Sequence, residues 1–131
     1  MNPTRLEWSL EGWPPAGPNG FRWENRTLSY SGDRPPERKF ATPSDKEWAA
    51  LWACFDELDV WSWPSTVGDL MVIDGLMYEI DVEVGSRSIK SNGQCSGSPP
   101  GFRDAVIRIH EELQLMVGWV PPKRRPKTHF R

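Results

Sequence analysis

Leu76-Met77-Tyr78-Glu79-Ile80-Asp81-Val82-Glu83-Val84 is the stretch that decides the fold class. Tyr78, Ile80, Val82 and Val84 alternate with Met77, Glu79, Asp81 and Glu83, the period of two shown by a strand with one buried and one wet face. Before it, Asp74-Gly75 is a tight-turn dipeptide that follows the apolar residues 70–73. After it, Gly85-Ser86-Arg87 forms a second turn into a short strand over residues 88–91. Strands joined by turns this short pair antiparallel, because a parallel partner needs a crossover of about a dozen residues.

The N-terminal third carries the same pattern. Leu6, Trp8 and Leu10 alternate with Glu7, Ser9 and Glu11, and the Pro/Gly-rich residues 12–20 then form a loop, since prolines lack the ladder donor. Phe21 and Trp23 resume the alternation, Asn25-Arg26-Thr27 reverses the chain, and Leu28 and Tyr30 return it as a hairpin. A second Pro-rich loop over residues 31–37 precedes a short strand over residues 38–41. Ser44-Asp45-Lys46-Glu47 has the form of a capping box, so a helix starts there. Trp48, Leu51, Trp52, Phe55 and Leu58 follow at spacings of three and four on one stripe, and the helix fades near Asp59. A second helix, opened by Pro99-Pro100 and ending before Gly118, is marked by Phe102, Val106, Ile109, Leu113 and Met116.

The expected fold is therefore α+β, an antiparallel sheet of about five to seven strands with two helices packed on one face. Residues 1–120 form one domain and residues 121–131 a basic, Pro-containing tail. The order strand, Asp-Gly turn, strand, Gly/Ser loop, Pro-Pro-x-Phe, helix over residues 61–113 resembles a pattern of small bacterial proteins without assigned activity, and the resemblance implies no site.

A chain of 131 residues is large enough for one core without metal or disulfide, and too small to pair a substrate domain with a dinucleotide-binding domain. Residues 1–13 include Glu7 and Glu11 and lack the apolar run of a secretory signal, and the longest apolar runs fall short of the roughly 20 residues that span a bilayer. A cytoplasmic location is expected. Cys54 and Cys95 then read as free thiols, and no Cys/His cluster has zinc spacing. The sequence implies no cofactor.

Gly93-Gln94-Cys95-Ser96-Gly97 reads G-x-C-x-G, the cysteine form of a nucleophile elbow, in which a thiol near a helix N-terminus would ionise more easily. Against it, Ser98-Pro99-Pro100-Gly101 separates Cys95 from the helix, and the candidate bases are His110, inside a helix, and His129, in the tail. The Ser96-Gly97-Ser98 loop lacks the Gly-Lys-Ser/Thr ending of a phosphate-binding loop. Glu79, Asp81 and Glu83 share one strand face at about 7 Å spacing and read as a solvated outer face, with magnesium ligation or an acid and base pair as the alternatives. His110-Glu111-Glu112 reads as helix surface.

Five of the 16 basic residues, Lys123, Arg124, Arg125, Lys127 and Arg131, lie beyond Val120. All 18 acidic residues precede it, so a chain of net charge −2 is an acidic body with a basic tail. Of the eight tryptophans, Trp8, Trp23, Trp48 and Trp52 fall on apolar faces. Trp13, Trp61, Trp63 and Trp119 sit in connecting stretches where exposure is expected, and exposed Trp serves as an interface anchor. The leading expectation is a non-catalytic protein-binding module, a small bacterial or phage accessory or inhibitor protein. It would use Trp13, Trp61, Trp63, Trp119 and the tail cations, and within it the acidic body fits a partner that itself binds nucleic acid. The alternatives are a nucleic-acid-binding protein that uses the tail and a cysteine-dependent hydrolase that uses the G-x-C-x-G loop.

Overall fold

The computed structural model describes residues 1–12, 17–32, 39–68 and 75–120. In chain order the described elements are β1 (Arg5–Glu11), β2 (Gly20–Glu24), β3 (Thr27–Ser31), β4 (Lys39–Ala41), α1 (Asp45–Glu57), a 3-10 turn (Val60–Ser62), β5 (Thr66–Val67), β6 (Met77–Val84), β7 (Arg87–Gln94) and α2 (Phe102–Met116). The strands form one seven-stranded sheet, ordered β4-β3-β2-β1-β6-β7-β5.

β1 sits at the centre because its alternation matches that of β6. Leu6, Trp8 and Leu10 stand opposite Val82, Ile80 and Tyr78, so both apolar sets face the same way and all six side chains are buried. The β2–β3 hairpin closes through Asn25 and Arg26, both left-handed at φ 53° and 60°, which gives the two-residue turn whose twist suits a hairpin. Across it, Phe21 pairs with Tyr30 and with Trp8 on its other side. The capping box opens α1: Ser44 Oγ accepts from the Glu47 amide at 3.2 Å, and Glu47 Oε1 accepts from the Ser44 amide at 2.9 Å. α1 ends at Glu57 with Leu58 as its C-cap, and Asp59 turns left-handed to start the 3-10 turn.

The sheet is mixed, not purely antiparallel, since β5 pairs with β7 in parallel. β6 is antiparallel to β7, and β5 lies on the far side of β7 at the sheet edge, running with it. β5 has two residues, too few to show an alternation. Its backbone meets β7 at Gly93, at φ 149°, where any Cβ would run into the Val67 carbonyl. The apolar run and turn expected over residues 70–74 lie outside the described residues.

Side chains on the apolar side of the sheet meet both helices. Trp23 stands edge-on to Trp48 of α1 at 5.2 Å between ring centroids, and Tyr78 lies 5.5 Å from Phe102 of α2. Trp8 Nε1 donates to His110 Nδ1 of α2 at 2.9 Å. Trp48, Leu51, Trp52 and Phe55 join Val106, Ile109, Tyr78, Ile80 and Val82 in one buried cluster, with Phe102 packed against its edge. Among the described residues, no helix is long and apolar enough to cross a membrane.

Candidate functional site

The register that buries one side of the sheet sets out a polar lattice on the other. Across adjacent strands one row runs Phe40, Ser29, Arg22, Glu7, Asp81, Lys90, and the next runs Ser31, Gly20, Ser9, Glu79, Asn92. A further row places Glu11, Met77 and Gln94 side by side. No described element packs over these rows, and Phe40 and Met77 are 64% and 43% exposed, high values for large apolar side chains.

Charge on this face is unevenly paired. Arg5 donates to Asp81 at 2.9 Å and lies 3.8 Å from Glu83, while Arg22 lies 3.4 Å from Glu7 and 4.0 Å from Glu24. The hydrogen bond to Asp81 and its charge raise the Arg5 pKa further. Glu79 and Glu11 have no ion pair or hydrogen bond among the described residues. The three β6 carboxylates, expected to form a solvated outer face, divide: Asp81 and Glu83 engage Arg5, and Glu79 has no ion pair among the described residues. Among the described residues, no group of three or more His, Cys, Asp or Glu side chains converges as a metal site.

Two clefts adjoin on this face, sharing Ser9 and Glu79. One, of about 270 Å³, lies over the small residues Ser9, Gly20, Ser29 and Ser31. The other, of about 530 Å³, is lined by Ser9, Glu11, Met77, Glu79, Asn92 and Gln94, among others. Gln94 is 5% exposed, and its buried Oε1 has no hydrogen-bond partner.

The tryptophans expected to be exposed anchors are placed differently. Trp61, Trp63 and Trp119 are each half-buried and held from within the chain. Trp61 Nε1 donates to Asp56 at 3.0 Å, its ring lies 5.1 Å from Phe55, and the Arg87 guanidinium stacks 4.6 Å above it while also binding Asp56. Trp63 packs 4.6 Å from Phe102. Trp119 lies against Gly17, where a Cβ would strike its indole. A Trp in a connecting stretch seals a core edge as readily as it faces solvent, and in this small domain the edges claim these three. Trp13 and the tail residues Lys123, Arg124, Arg125, Lys127 and Arg131 lie outside the described residues.

Cys95 is 7% exposed, and burial pushes its thiol pKa up, against a smaller opposing effect of Arg103. Its amide donates to Leu76 O at 2.8 Å, and its carbonyl accepts from Ser98. His110, the candidate base inside the fold, is committed to Trp8 and packs edge-on to Phe21 at 5.5 Å. Among the described residues no base is brought to the thiol, and His129, the other candidate, lies outside them. In the native protein, Cys95 should react with iodoacetamide near neutral pH more slowly than free cysteine and reach the free rate only on unfolding; mass-spectrometric timing of the Cys95 adduct checks this.

His110-Glu111-Glu112 is not helix surface throughout. His110 is fully buried and Glu111 7% exposed, because α2 turns a broad stripe of Val106, Ile109, His110 and Leu113 inward. Position 110 is four residues past Val106 and three before Leu113, and that spacing was the available signal. No protein-family model matches the chain, and no curated protein matches it significantly.

Proposed function

We propose that the chain is a non-catalytic protein-binding module whose docking surface is the open face of the sheet, and that its partner presents a basic surface. One observation carries this reading: a sheet face with no described element over it holds Glu7, Glu11, Glu24, Glu79, Asp81 and Glu83 against Arg5, Arg22 and Lys90, with Phe40 and Met77 exposed among them. Excess carboxylates steer a basic partner during encounter, and exposed apolar side chains supply area to bury once it docks. A protein that itself binds nucleic acid has such a surface, which suits an accessory or inhibitor protein whose carboxylates stand where phosphates would.

The experiment is affinity capture from the native host with three baits: the intact chain, a face variant carrying Phe40→Ser and Glu79→Lys, and a chain lacking residues 121–131. The expected result is a partner retained by the intact and shortened chains, lost by the face variant, and released as salt rises. Retention that survives the face variant but disappears with the tail, together with recovered nucleic acid, would transfer binding to the tail cations and overturn the proposal.

A further inference from the structure

Positive charge on the open sheet face is gathered toward one end. Arg22 and Lys90 stand in the row of Glu7 and Asp81, and Arg5 lies one row beyond, against Asp81 and Glu83. The two rows at the other end hold Glu79, Glu11 and the exposed Met77, and no Lys or Arg among the described residues. These three side chains line the cleft of about 530 Å³.

The chain leaves α2 at that same end of the sheet. Trp119 packs on Gly17, which leads through Pro18 to Asn19. The Asn19 carbonyl accepts from the Leu10 amide at 2.9 Å, and its amide donates to Ser31 O at 3.0 Å, so Trp119 stands where β1 and β3 end. Beyond Val120 come Lys123, Arg124, Arg125, Lys127, Phe130 and Arg131, and Pro121 and Pro122 lack the donor that would prolong a helix. Residues 121–131 can span at most about 36 to 40 Å. The whole of β1 is about 24 Å long, so this length reaches round the rim to both cation-free rows.

We infer that residues 121–131 dock on this end of the face, with cations against Glu11 and Glu79 and Phe130 on Met77, so that the chain partly covers its own docking surface. Exposed ion pairs are individually weak, but a tether holds the segment at an effective concentration near the millimolar range, and a Met sulfur suits an aromatic ring. The groove between α1 and α2, lined by Glu47, Glu112 and Met116, is a poorer seat, because Glu47 already accepts from the Ser44 amide. The docking stands apart from the protein-binding reading above; only its competition with a partner rests on that reading.

The test compares, by NMR, the isotope-labelled full chain with a full-length variant carrying Lys123→Gln, Arg124→Gln, Arg125→Gln and Lys127→Gln. At low salt the substitutions should shift the Glu11 and Glu79 carboxylate resonances and the Met77 methyl, and leave Thr27 and Ser88 at the opposite end unmoved. At high salt the two spectra should coincide. Glu11 and Glu79 are exposed, so Glu11→Gln with Glu79→Gln keeps the fold, and on that background the tail substitutions should shift Met77 far less. Unmoved resonances at Glu11, Glu79 and Met77 would overturn the inference, as would equal shifts at both ends or shifts confined to Glu47, Glu112 and Met116. Shifts that grow with protein concentration would assign the docking to a second copy and overturn the intramolecular form. In capture from the native host, the variant should retain about two to three times more partner, the inverse of the fraction of intact chains with an open face. Equal capture would remove the competition and leave the docking, and capture of nothing by either chain would count against the protein-binding reading alone.

Discussion

Replacing Phe55 by alanine should lower the unfolding free energy by about 3 to 5 kcal/mol. Phe55 is fully buried, with the Trp52 ring edge-on at 5.3 Å and the Trp61 ring tilted at 5.1 Å. Removing the ring takes away its transfer free energy and leaves a space that these neighbours are poorly placed to fill. Trp52 is stacked on Trp48 and tied through Nε1 to Met1 O at 2.7 Å, and Trp61 is pinned by Asp56 and by the overlying Arg87. Stiff walls collapse little, which puts the cost toward the upper end of the range. Urea unfolding followed by Trp fluorescence gives the value directly, and the denaturant slope should stay unchanged if only the native core is affected. A loss below about 1 kcal/mol would mean that the α1 stripe does not face the core as described.

The α1 stripe was legible in the sequence because its information is local. Ser44 and Glu47 are three residues apart, and Trp48, Leu51, Trp52 and Phe55 repeat at helical spacing, so a short window holds both the start and the buried face. The alternations in β1 and β6 were readable for the same reason. The parallel edge strand was not, since Thr66 and Val67 have no pattern to offer and their placement depends on the chain passing β7 before β6 begins. The candidate site was less legible still. Glu11, Met77 and Gln94 are far apart in sequence and become neighbours only through the register of three strands, a property of the assembled sheet. Gln94 drew attention only as the residue beside Cys95, and its buried amide oxygen, not the thiol, is the unusual group there. The tryptophans show how little residue type alone says about placement: it suggested exposed anchors, and Trp61, Trp63 and Trp119 are half-buried against neighbours within the chain.

Acid should destabilise the protein through His110, with a sign opposite to that of a histidine that gains an acidic partner on folding. His110 is fully buried, and burial lowers its pKa from 6.5 to about 4, offset only in part by the backbone of Pro18. That carbonyl is already occupied by Gln114 Nε2 at 3.0 Å, and His110 Nε2 has no hydrogen-bond partner among the described residues. On the other side of the ring, Nδ1 accepts from Trp8 Nε1, so a second proton would set two N–H groups against each other. Among the described residues, the groups facing the ring are thus the Trp8 indole and the Phe21 ring, with the Pro18 backbone. Because the folded pKa lies below the unfolded one, the unfolded chain binds more protons between pH 6.5 and 4. The stability contributed by neutral His110 is full above pH 6.5, falls as pH drops, and is lost by about pH 4, a total of about 3 kcal/mol. Carboxylates also titrate toward the lower end of this window, so the measurement is a difference. Unfolding free energies of the intact chain and of His110→Gln, which keeps an acceptor for Trp8 but does not titrate, should be compared from pH 7 to 4. The variant should start less stable at pH 7 and lose less on acidification, so that the two curves converge. Parallel curves across the window would show that His110 is not held neutral by the fold, and the contact between α2 and β1 would have to be redrawn.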